Sequence, residues 1–570
     1  MRPRRRFVSL RPVFTLSVAA ALLGSTMLTG CAIEIPLDAP KAAPPAQPPP
    51  APSKSTGGSS FAATLLVLVA TTLSGCAVGP DYQMPQLATP AQWSQAEATK
   101  SSRPPELAQW WTRLRDPLLD QLVDEAVNGN LDVATAKARI REARAGYRQA
   151  VGALFPTIAN SDSVRHSKGA SAPSQATANS SANGNMSAPS QPASASTGSL
   201  YQAGFDASWE LDLFGANRRS VEAAAYGVDA ADENLRSVLL TLVGDVASNY
   251  VQVRGYQARI ALARRTALSQ DETTQITRNR LAAGTATAAD VANATGQAAT
   301  TRALIPTLEI SYAEAVHRLS VLTGRPPAAL DSRLAKARPI PTPKLPVPAG
   351  VPANILLARP DVRSAERQYA QYTARIGQAE AALYPSVSLT GNIATAGTKL
   401  GDLGKNSSIS WSFGPTVSVP IFNGGKLRAA VEVAQAQRDQ HFVAYRSSVF
   451  IALREVEDAL VSLAQERSRG RTLSEAATAY RQAASLSQSL YRAGSSSFLD
   501  VLTAERSLYG AEDTLLQSRI LIATSYIALN KALGGGWDGY IDTLKPEIVD
   551  TNTGPHMTKA NDLLRTAQRP

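Results

Sequence analysis

The 570-residue chain is poor in the side chains that most often build metal and catalytic sites. Its two cysteines, Cys31 and Cys76, both lie near the N-terminus, so no disulfide framework is available to the rest of the chain. Its four histidines lie far apart in sequence, without ligand-like spacing: His166, His317, His441 and His556. No P-loop, strand-linked GxGxxG or GxSxG motif occurs. The sequence therefore predicts no metal site, no cofactor, no catalytic residues and no enzymatic activity.

Aromatic residues are also scarce, at 6% of the chain, although 44% of its residues are hydrophobic. Together with abundant Ala, Ser, Gln and Arg, this composition favours long helices over a dense globular core. The formal net charge of +11 is spread along the chain. A nucleic-acid-binding protein would concentrate its basic residues on one face, so we predict no nucleic-acid partner.

Long apolar runs are confined to the leader region, residues 1–75. It opens with an arginine-rich start typical of an export signal and contains two apolar runs, each short for a membrane span of about 20 residues. The runs end in "LTGC" (28–31) and "LSGC" (73–76), which resemble the lipobox of bacterial lipoproteins. We therefore predict acylation of Cys76, with Cys31 as the alternative. Without a later transmembrane helix, a membrane location would require this lipid or a β-barrel.

The rest of the chain contains an internal duplication. "GALFPTIANS" (152–161) is echoed 229 residues later by "AALYPSVSLT" (381–390), whereas "RLAAGTATAADV" (280–291) is echoed 210 residues later by "LYRAGSSSFLDV" (490–501). The change in offset indicates an insertion in the first copy, within a polar outer loop at 167–200. We predict an N-terminal segment at 76–124, repeats at 125–330 and 355–535, a Pro-rich linker at 331–354, and a C-terminal tail at 536–570 without an assigned role.

Each copy changes from a period of two residues to helical periodicity. Apolar and polar residues alternate in 201–213 and 409–421, which predicts strands there and, more weakly, at about 156–166 and 385–395. A soluble sheet with one wet face and a transmembrane barrel both fit this alternation. Four strands cannot close a barrel, so spanning strands would have to be shared among several chains.

Two proline-free stretches, from 215 to about 281 and from 424 to about 492, predict helices roughly 100 Å long. Their apolar residues follow the 4-3 spacing of coiled coils, although ordinary amphipathic packing would give the same pattern. Shorter helices are expected at 125–155, 285–323, 355–384 and 495–533. The predicted fold is thus a mixture of all-α coiled coil and membrane β-strands.

Four stretches carry a family resemblance: "CAVGPDYQMP" (76–85), "WWTRLRDPLLDQLV" (110–123), "WELDLFGANRRSVEAA" (209–224) and "RPDVRSAERQYAQYTARIGQAEAALYPSVSLTG" (359–391). They closely resemble the NodT lineage of outer-membrane efflux lipoproteins, which are TolC/OprM-type outer-membrane factors of tripartite RND pumps. The resemblance implies a homotrimer whose twelve strands, four per chain, form one outer-membrane barrel continued by a long periplasmic α-helical barrel.

The same resemblance implies partners and a location. We expect a lipid-anchored protein of a Gram-negative outer membrane that extends into the periplasm and works with a periplasmic membrane-fusion adaptor and an inner-membrane RND pump. In the family the C-x-V-G-P-D-Y stretch directly follows the acylated cysteine, which favours Cys76. The covalent acyl lipid is the only non-protein group expected.

The resemblance also implies a periplasmic gate near the second helix turn. It assigns gate positions to Tyr491, Leu499, Asp500, Thr503 and Arg506. Three copies of Asp500 would ring the pore, whereas Thr503 stands where relatives often carry a second aspartate. Asp500 could also act as a helix N-cap or first-turn carboxylate.

In the first copy Asp290 and Asn293 occupy the places of Asp500 and Thr503. The turns at Gly284 and Gly494 are the expected tips that adaptor helices grip.

Three functions fit these features to different degrees. The favoured one is a passive exit duct for small molecules or drugs in a tripartite efflux system. The outer-membrane component of a type I protein secretion system would use the same duct, but the lipobox and the NodT motifs favour efflux. A lipid-anchored coiled-coil structural protein would not need the alternating strands.

Overall fold

The computed structural model describes residues 77–87, 93, 107–168, 197–343 and 353–549. All of them belong to one compact unit, Val69–Pro570. The predictions for the leader region 1–75, for Cys31 and Cys76, and for most of the outer loop concern residues outside these ranges. The same holds for the end of the C-terminal tail, from residue 550 onward.

The described strands form one antiparallel sheet in the order β1-β2-β3-β4. Their bounds are Thr157–Lys168 (β1), Thr197–Leu211 (β2), Ser386–Gly397 (β3) and Ile409–Ser418 (β4). The expected ends at about 213 and 421 are wrong by a few residues. β2 stops before Asp212, whose carboxylate accepts hydrogen bonds from the backbone of the following helix. β4 stops before Pro420, which has no N–H to continue the ladder.

The strand register aligns the apolar residues on one face of the sheet. Phe205 pairs with Ile393, which pairs in turn with Trp411. The opposite face carries Asp206, Asn392 and Ser412 along the same line. β1 departs from this pattern, because Asn160 pairs with Phe205 and donates a 2.9 Å hydrogen bond to Asp162 on the otherwise apolar face. In a single chain the large apolar side chains of this face are exposed, and exposed patches of this kind mark contact with an apolar partner.

Helices account for most of the remaining residues. Their bounds are Pro117–Gly129 (α1), Leu131–Gly152 (α2), Ala216–Ala282 (α3), Ala288–Leu322 (α4), Asp331–Leu334 (α5), Pro360–Ala381 (α6), Lys426–Arg492 (α7) and Phe498–Ala532 (α8). The helices α3 and α7 have 67 residues each, or about 100 Å. No described helix combines the length and the apolarity that a membrane crossing requires.

The two copies use these helices in the same way. In the first copy α2 and α4 both pack along α3, and in the second copy α6 and α8 both pack along α7. Asn130, at the start of α2, donates a 3.0 Å hydrogen bond to the carbonyl of Leu322 at the end of α4. Arg359, at the start of α6, likewise donates to the carbonyl of Ala532 at the end of α8, at 2.7 Å. Two shorter helices, joined end to end, therefore match each long helix.

The main core lies where these end-to-end joints meet the middle of α3. Trp110, in the 3₁₀ turn Trp110–Leu114, donates its indole N–H to the carbonyl of Gly535 at 3.0 Å. Its neighbour Trp111 stacks on Trp537 with ring centroids 6.2 Å apart. The segments before α1 and after α8 are thus held together, although they lie more than 400 residues apart in sequence.

A fully buried guanidinium stabilises the same region. Arg254, with 0% exposure, donates to the Tyr250 hydroxyl at 2.9 and 3.1 Å and to the carbonyl of Lys336 at 3.0 Å. The Tyr250 hydroxyl in turn donates to the Asp116 carboxylate, which also accepts a 3.1 Å bond from Arg338. Burial, followed by the bond to Asp116, raises the pKa of Tyr250, so the phenol remains a donor. The network connects α3 to the segment before α1 and to the linker.

We expect Arg254→Ala to lower the free energy of unfolding by about 3–5 kcal/mol, because it leaves three buried acceptors, on Tyr250, Gln257 and Lys336, without their donor. The matched change Arg264→Ala lies on the same helix, where Arg264 forms an exposed ion pair with Glu309. It should cost less than about 1 kcal/mol. Thermal unfolding of the detergent-solubilised protein measures both, and equal losses would contradict a structural role for the buried network.

Candidate functional site at the helix tips

Each long helix ends in a turn closed by a glycine. Gly284 follows α3 with φ of 70°, and Gly494 follows α7 with φ of 82°, a conformation that residues with a Cβ rarely adopt. A Cβ at Gly284 would meet no neighbouring atom, so conformation and not space requires glycine there. The next N–H, from Thr285 or Ser495, bonds back to the last helical turn at 2.8 or 2.9 Å. The two tips therefore share one geometry.

The returning helices begin with the same capping box. Thr287 and Asp290 cap α4, and Ser497 and Asp500 cap α8, each pair exchanging side-chain and backbone hydrogen bonds. One oxygen of Asp500 accepts bonds from the Ser497 N–H at 3.0 Å, the Ser497 hydroxyl at 2.8 Å and the Ser496 hydroxyl at 3.0 Å. The bonds from Ser497 hold the pKa of Asp500 below its usual range. Asp500 is therefore a first-turn carboxylate, and its placement in a pore ring stays a prediction.

Tyr491 lies inside the tip and not on its surface. It is buried against Phe498 and Val501, and its hydroxyl donates a 3.0 Å bond to the Thr277 hydroxyl on α3. The Arg280 guanidinium lies 4.5 Å from the Tyr491 ring centroid and donates to the Tyr491 carbonyl at 2.7 Å. These contacts join the end of α7 to the end of α3, and so join the two hairpins.

The other three expected gate residues are exposed, and only one of them forms a link between the copies. Arg506, on α8, donates a 2.5 Å bond to the side chain of Gln297 on α4. Leu499 and Thr503 are exposed near the start of α8, as is Asn293 near the start of α4. The structure thus brings Tyr491 and Arg506 into contact with the first copy.

A buried carboxylate, Glu505, is a site residue that the sequence did not predict, and Arg280 is another. Glu505 accepts 2.8 Å bonds from the Thr273 hydroxyl on α3 and the Gln488 amide on α7. Burial raises the pKa of Glu505, while these two bonds oppose that shift. A signal was available, because Phe498, Val501, Leu502 and Glu505 follow the spacing of a buried helical stripe.

A cavity of about 260 Å³ lies beside Glu505, between α3, α7 and α8. Gln270, which lines it, is buried, and neither polar atom of its amide has a hydrogen-bond partner. Farther from the tip, Arg259 on α3 binds both carboxylate oxygens of Asp513 on α8, at 2.7 and 3.0 Å. The two hairpins of one chain are therefore linked by polar contacts that surround an incompletely packed space, an arrangement suited to a joint that can open.

Among the residues that the structure describes, no group of three or more His, Cys, Asp or Glu side chains is placed to hold a metal ion. The polar groups of the tips bond to one another across helices. They form contacts that hold neighbouring helices together.

A four-stranded sheet with one apolar face, joined directly to helices of about 100 Å whose far ends are held by polar links, fits the class of TolC-like outer-membrane channels. Residues 122–325 and 351–535 match the family of outer membrane efflux proteins, and the chain belongs to that family. The two matched segments correspond to the two copies of the duplication. The resemblance to the NodT lineage is confirmed.

Individual relatives agree with this assignment. The chain is 35% identical over 432 residues to Nodulation protein T of Rhizobium leguminosarum bv. trifolii, covering 75% of this chain and 88% of the relative. It is 36% identical over 427 residues to the solvent efflux pump outer membrane protein SrpC of Pseudomonas putida, covering 74% and 86%. The solved outer-membrane channel OprN has a TM-score of 0.73 and 33% identity over 81% of this chain and 100% of that one. The chain is an outer-membrane efflux channel.

We expect Glu505→Gln to raise the melting temperature at neutral pH, because the amide keeps the acceptor for Thr273 and Gln488 and removes a buried charge. The pKa of Glu505 is raised in the folded protein, so the wild type gains stability as the pH falls through that value. The difference between variant and wild type should therefore shrink as the pH is lowered and vanish below the ordinary carboxyl range of about 4. Melting curves from pH 3 to 8 measure it. Glu475→Gln, an exposed change on α7, is the control, and a pH-independent difference at Glu505 would argue against the buried charge as its cause.

Proposed function

We propose that three copies of this chain form one exit duct of a tripartite efflux system, with twelve strands in a single outer-membrane barrel and the long helices in a periplasmic tunnel. One observation carries the proposal. Within the described sheet, β1 and β4 are edges, and the apolar face beside them is exposed. In hydrocarbon each edge N–H and C=O requires a partner, and β4 and β1 of adjacent copies supply it to each other.

The duct carries small organic molecules outward and catalyses no reaction. The name of the solvent efflux relative supports this substrate class, since the two chains share most of their length. An inner-membrane RND pump supplies the energy, and a periplasmic adaptor joins it to the duct by gripping the turns at Gly284 and Gly494. The same capping box follows both turns, which supports their role as equivalent binding sites for the adaptor.

The contacts that link the two hairpins form the gate. Arg280, Tyr491, Glu505 and Arg506 hold the ends of the helices together in the closed duct. Because these bonds are polar and few, their exchange for water on opening has a small net cost. Three copies of Asp500 line the entrance, where its lowered pKa keeps the carboxylate charged.

We further propose that Cys76 carries the lipid anchor. The contacts of the residues that follow it support this. The Val78 N–H donates a 3.1 Å bond to the carbonyl of Phe214, just beyond β2, and Arg219 donates to the carbonyls of Val78 and Gly79, both at 3.1 Å. A Cβ at Gly215 would come within 2.8 Å of the Ala77 backbone. A lipid on the preceding residue, Cys76, would therefore lie close to the junction of β2 and α3. From that position its acyl chains would enter the membrane that the strands span without a long linker.

Native mass measurement of the detergent-extracted outer-membrane fraction tests the duct. We expect three copies per particle and, in the N-terminal peptide of the same sample, acyl chains on Cys76 that disappear in Cys76→Ser but persist in Cys31→Ser. A monomer that leaves the membrane without detergent would contradict the shared barrel. The reverse pattern in the two cysteine variants would move the anchor to Cys31.

Tyr491→Phe tests the gate, because it removes the bond to Thr277 and keeps the buried ring. A loss of about 1 kcal/mol should raise the open fraction about fivefold, measured as conductance in planar lipid bilayers. Tyr480→Phe, an exposed change on the same helix, should leave conductance unchanged. Equal conductance of Tyr491→Phe and wild type would remove Tyr491 from the gate.

A further inference from the structure

The chain after α8 is fixed on the surface of α2. We call residues 538–549 the C-terminal strap. The Arg144 side chain donates to the Thr543 hydroxyl and the Arg141 side chain to the carbonyl of Lys545, both at 2.9 Å. Lys137 forms a 3.0 Å ion pair with Glu547. Because the strap numbers rise as the α2 numbers fall, the strap runs along α2 in the opposite direction, away from the sheet.

The strap presents apolar side chains to solvent although it is tied down by polar ones. Leu544 is 69% exposed and Ile548 is 79% exposed, and Tyr540 and Val549 are exposed as well. A flexible tail could leave such residues in water at little cost, but these are held outward by the three contacts to α2. An ordered apolar surface of this kind is typical of a contact that another chain covers.

The opposite side of the chain offers a matching surface. Beside the sheet, α2 packs on α3, α3 on α6, and α6 on α7, so α2 and α7 are the two ends of the row. On α7, Val443 is 63% exposed and Phe450 is 52% exposed. In a ring of identical copies, one end of each row meets the other end of the next.

The two surfaces lie at the same distance from the sheet, measured along the helix axes. Because of the duplication, the part of α2 under the strap corresponds to residues 366–373 of α6. There α6 contacts α7 through Tyr369 and Phe442, with ring centroids 5.5 Å apart. From Leu544 to Ile548 an extended chain covers about 13 Å, and from Val443 to Phe450 a helix covers about 10 Å. Both segments run away from the sheet.

We propose that the C-terminal strap is the docking surface for α7 of an adjacent copy of this chain, with Leu544 beside Val443 and Ile548 beside Phe450. This rests on the proposed trimer and continues its sheet contact. The edge strand β1 directly follows α2, and the edge strand β4 directly precedes α7. A copy that joins β4 to β1 of the next therefore brings its α7 against the next copy's α2 and strap.

Paired cysteines test the contact in the membrane. Leu544→Cys with Val443→Cys, and Ile548→Cys with Phe450→Cys, are placed in the full chain and oxidised in outer-membrane vesicles. Both pairs should give chains linked between copies on non-reducing gels. The wild type controls for Cys31 and Cys76. Leu544→Cys with Leu486→Cys is the matched control, because Leu486 is similarly exposed on α7 but about 60 Å farther along it.

Native mass of the same samples separates the two possible failures. Linked copies from both pairs, with no product from the Leu486 control, support the docking. A trimer without links in either pair overturns the strap contact and leaves the exit duct standing. A monomer overturns both. Links that form equally well with Leu486 would show random collision and also overturn the proposal.

Discussion

In the hydrocarbon of a membrane no water is present to pair with a free backbone N–H or C=O. In that environment the four strands of the described sheet would have two open edges, which one chain cannot satisfy alone. The proposed trimer follows from this constraint, and so does the arrangement of strands and helices within it. The strands need neighbours of the same kind, and the helices beside them must arrive at matching positions.

The duplication supplies two strands from each copy, but it does not make the two copies equivalent at the helix tips. The caps are the same, with Asp290 and Asp500 in identical roles. The links between hairpins are different, because the first copy supplies Thr273, Thr277 and Arg280 while the second supplies Tyr491 and Glu505. One ancestral hairpin has thus become two surfaces that recognise each other. The proposed gate depends on this difference, because its links join unlike residues of the two copies.

Local pattern was enough to predict much of this fold. Proline-free stretches bounded by glycine predicted α3 and α7, and alternation predicted four strands, since both signals depend on neighbours in the sequence. The end of β4 was missed because apolar alternation continues to Ile421, beyond the proline that stops the ladder. The strap and the buried Arg254 network were not predicted, since their partners lie tens to hundreds of residues away. Glu505 was overlooked on a helical stripe that otherwise buries apolar side chains.

The corresponding helices of the two copies are equal in length, 67 residues for the long pair and 35 for the returning pair. Removing one residue from α3 alone would shorten it by about 1.5 Å and turn every later side chain by about 100°. The tip at Gly284 would then be displaced along the helix axis and rotated relative to the tip at Gly494, so their side chains would no longer meet. A substitution therefore acts within one copy, whereas a change of helix length in one copy would require the same change in the other to keep the tips in register. The equal helix lengths of the two copies thus keep the two tips of this chain in register.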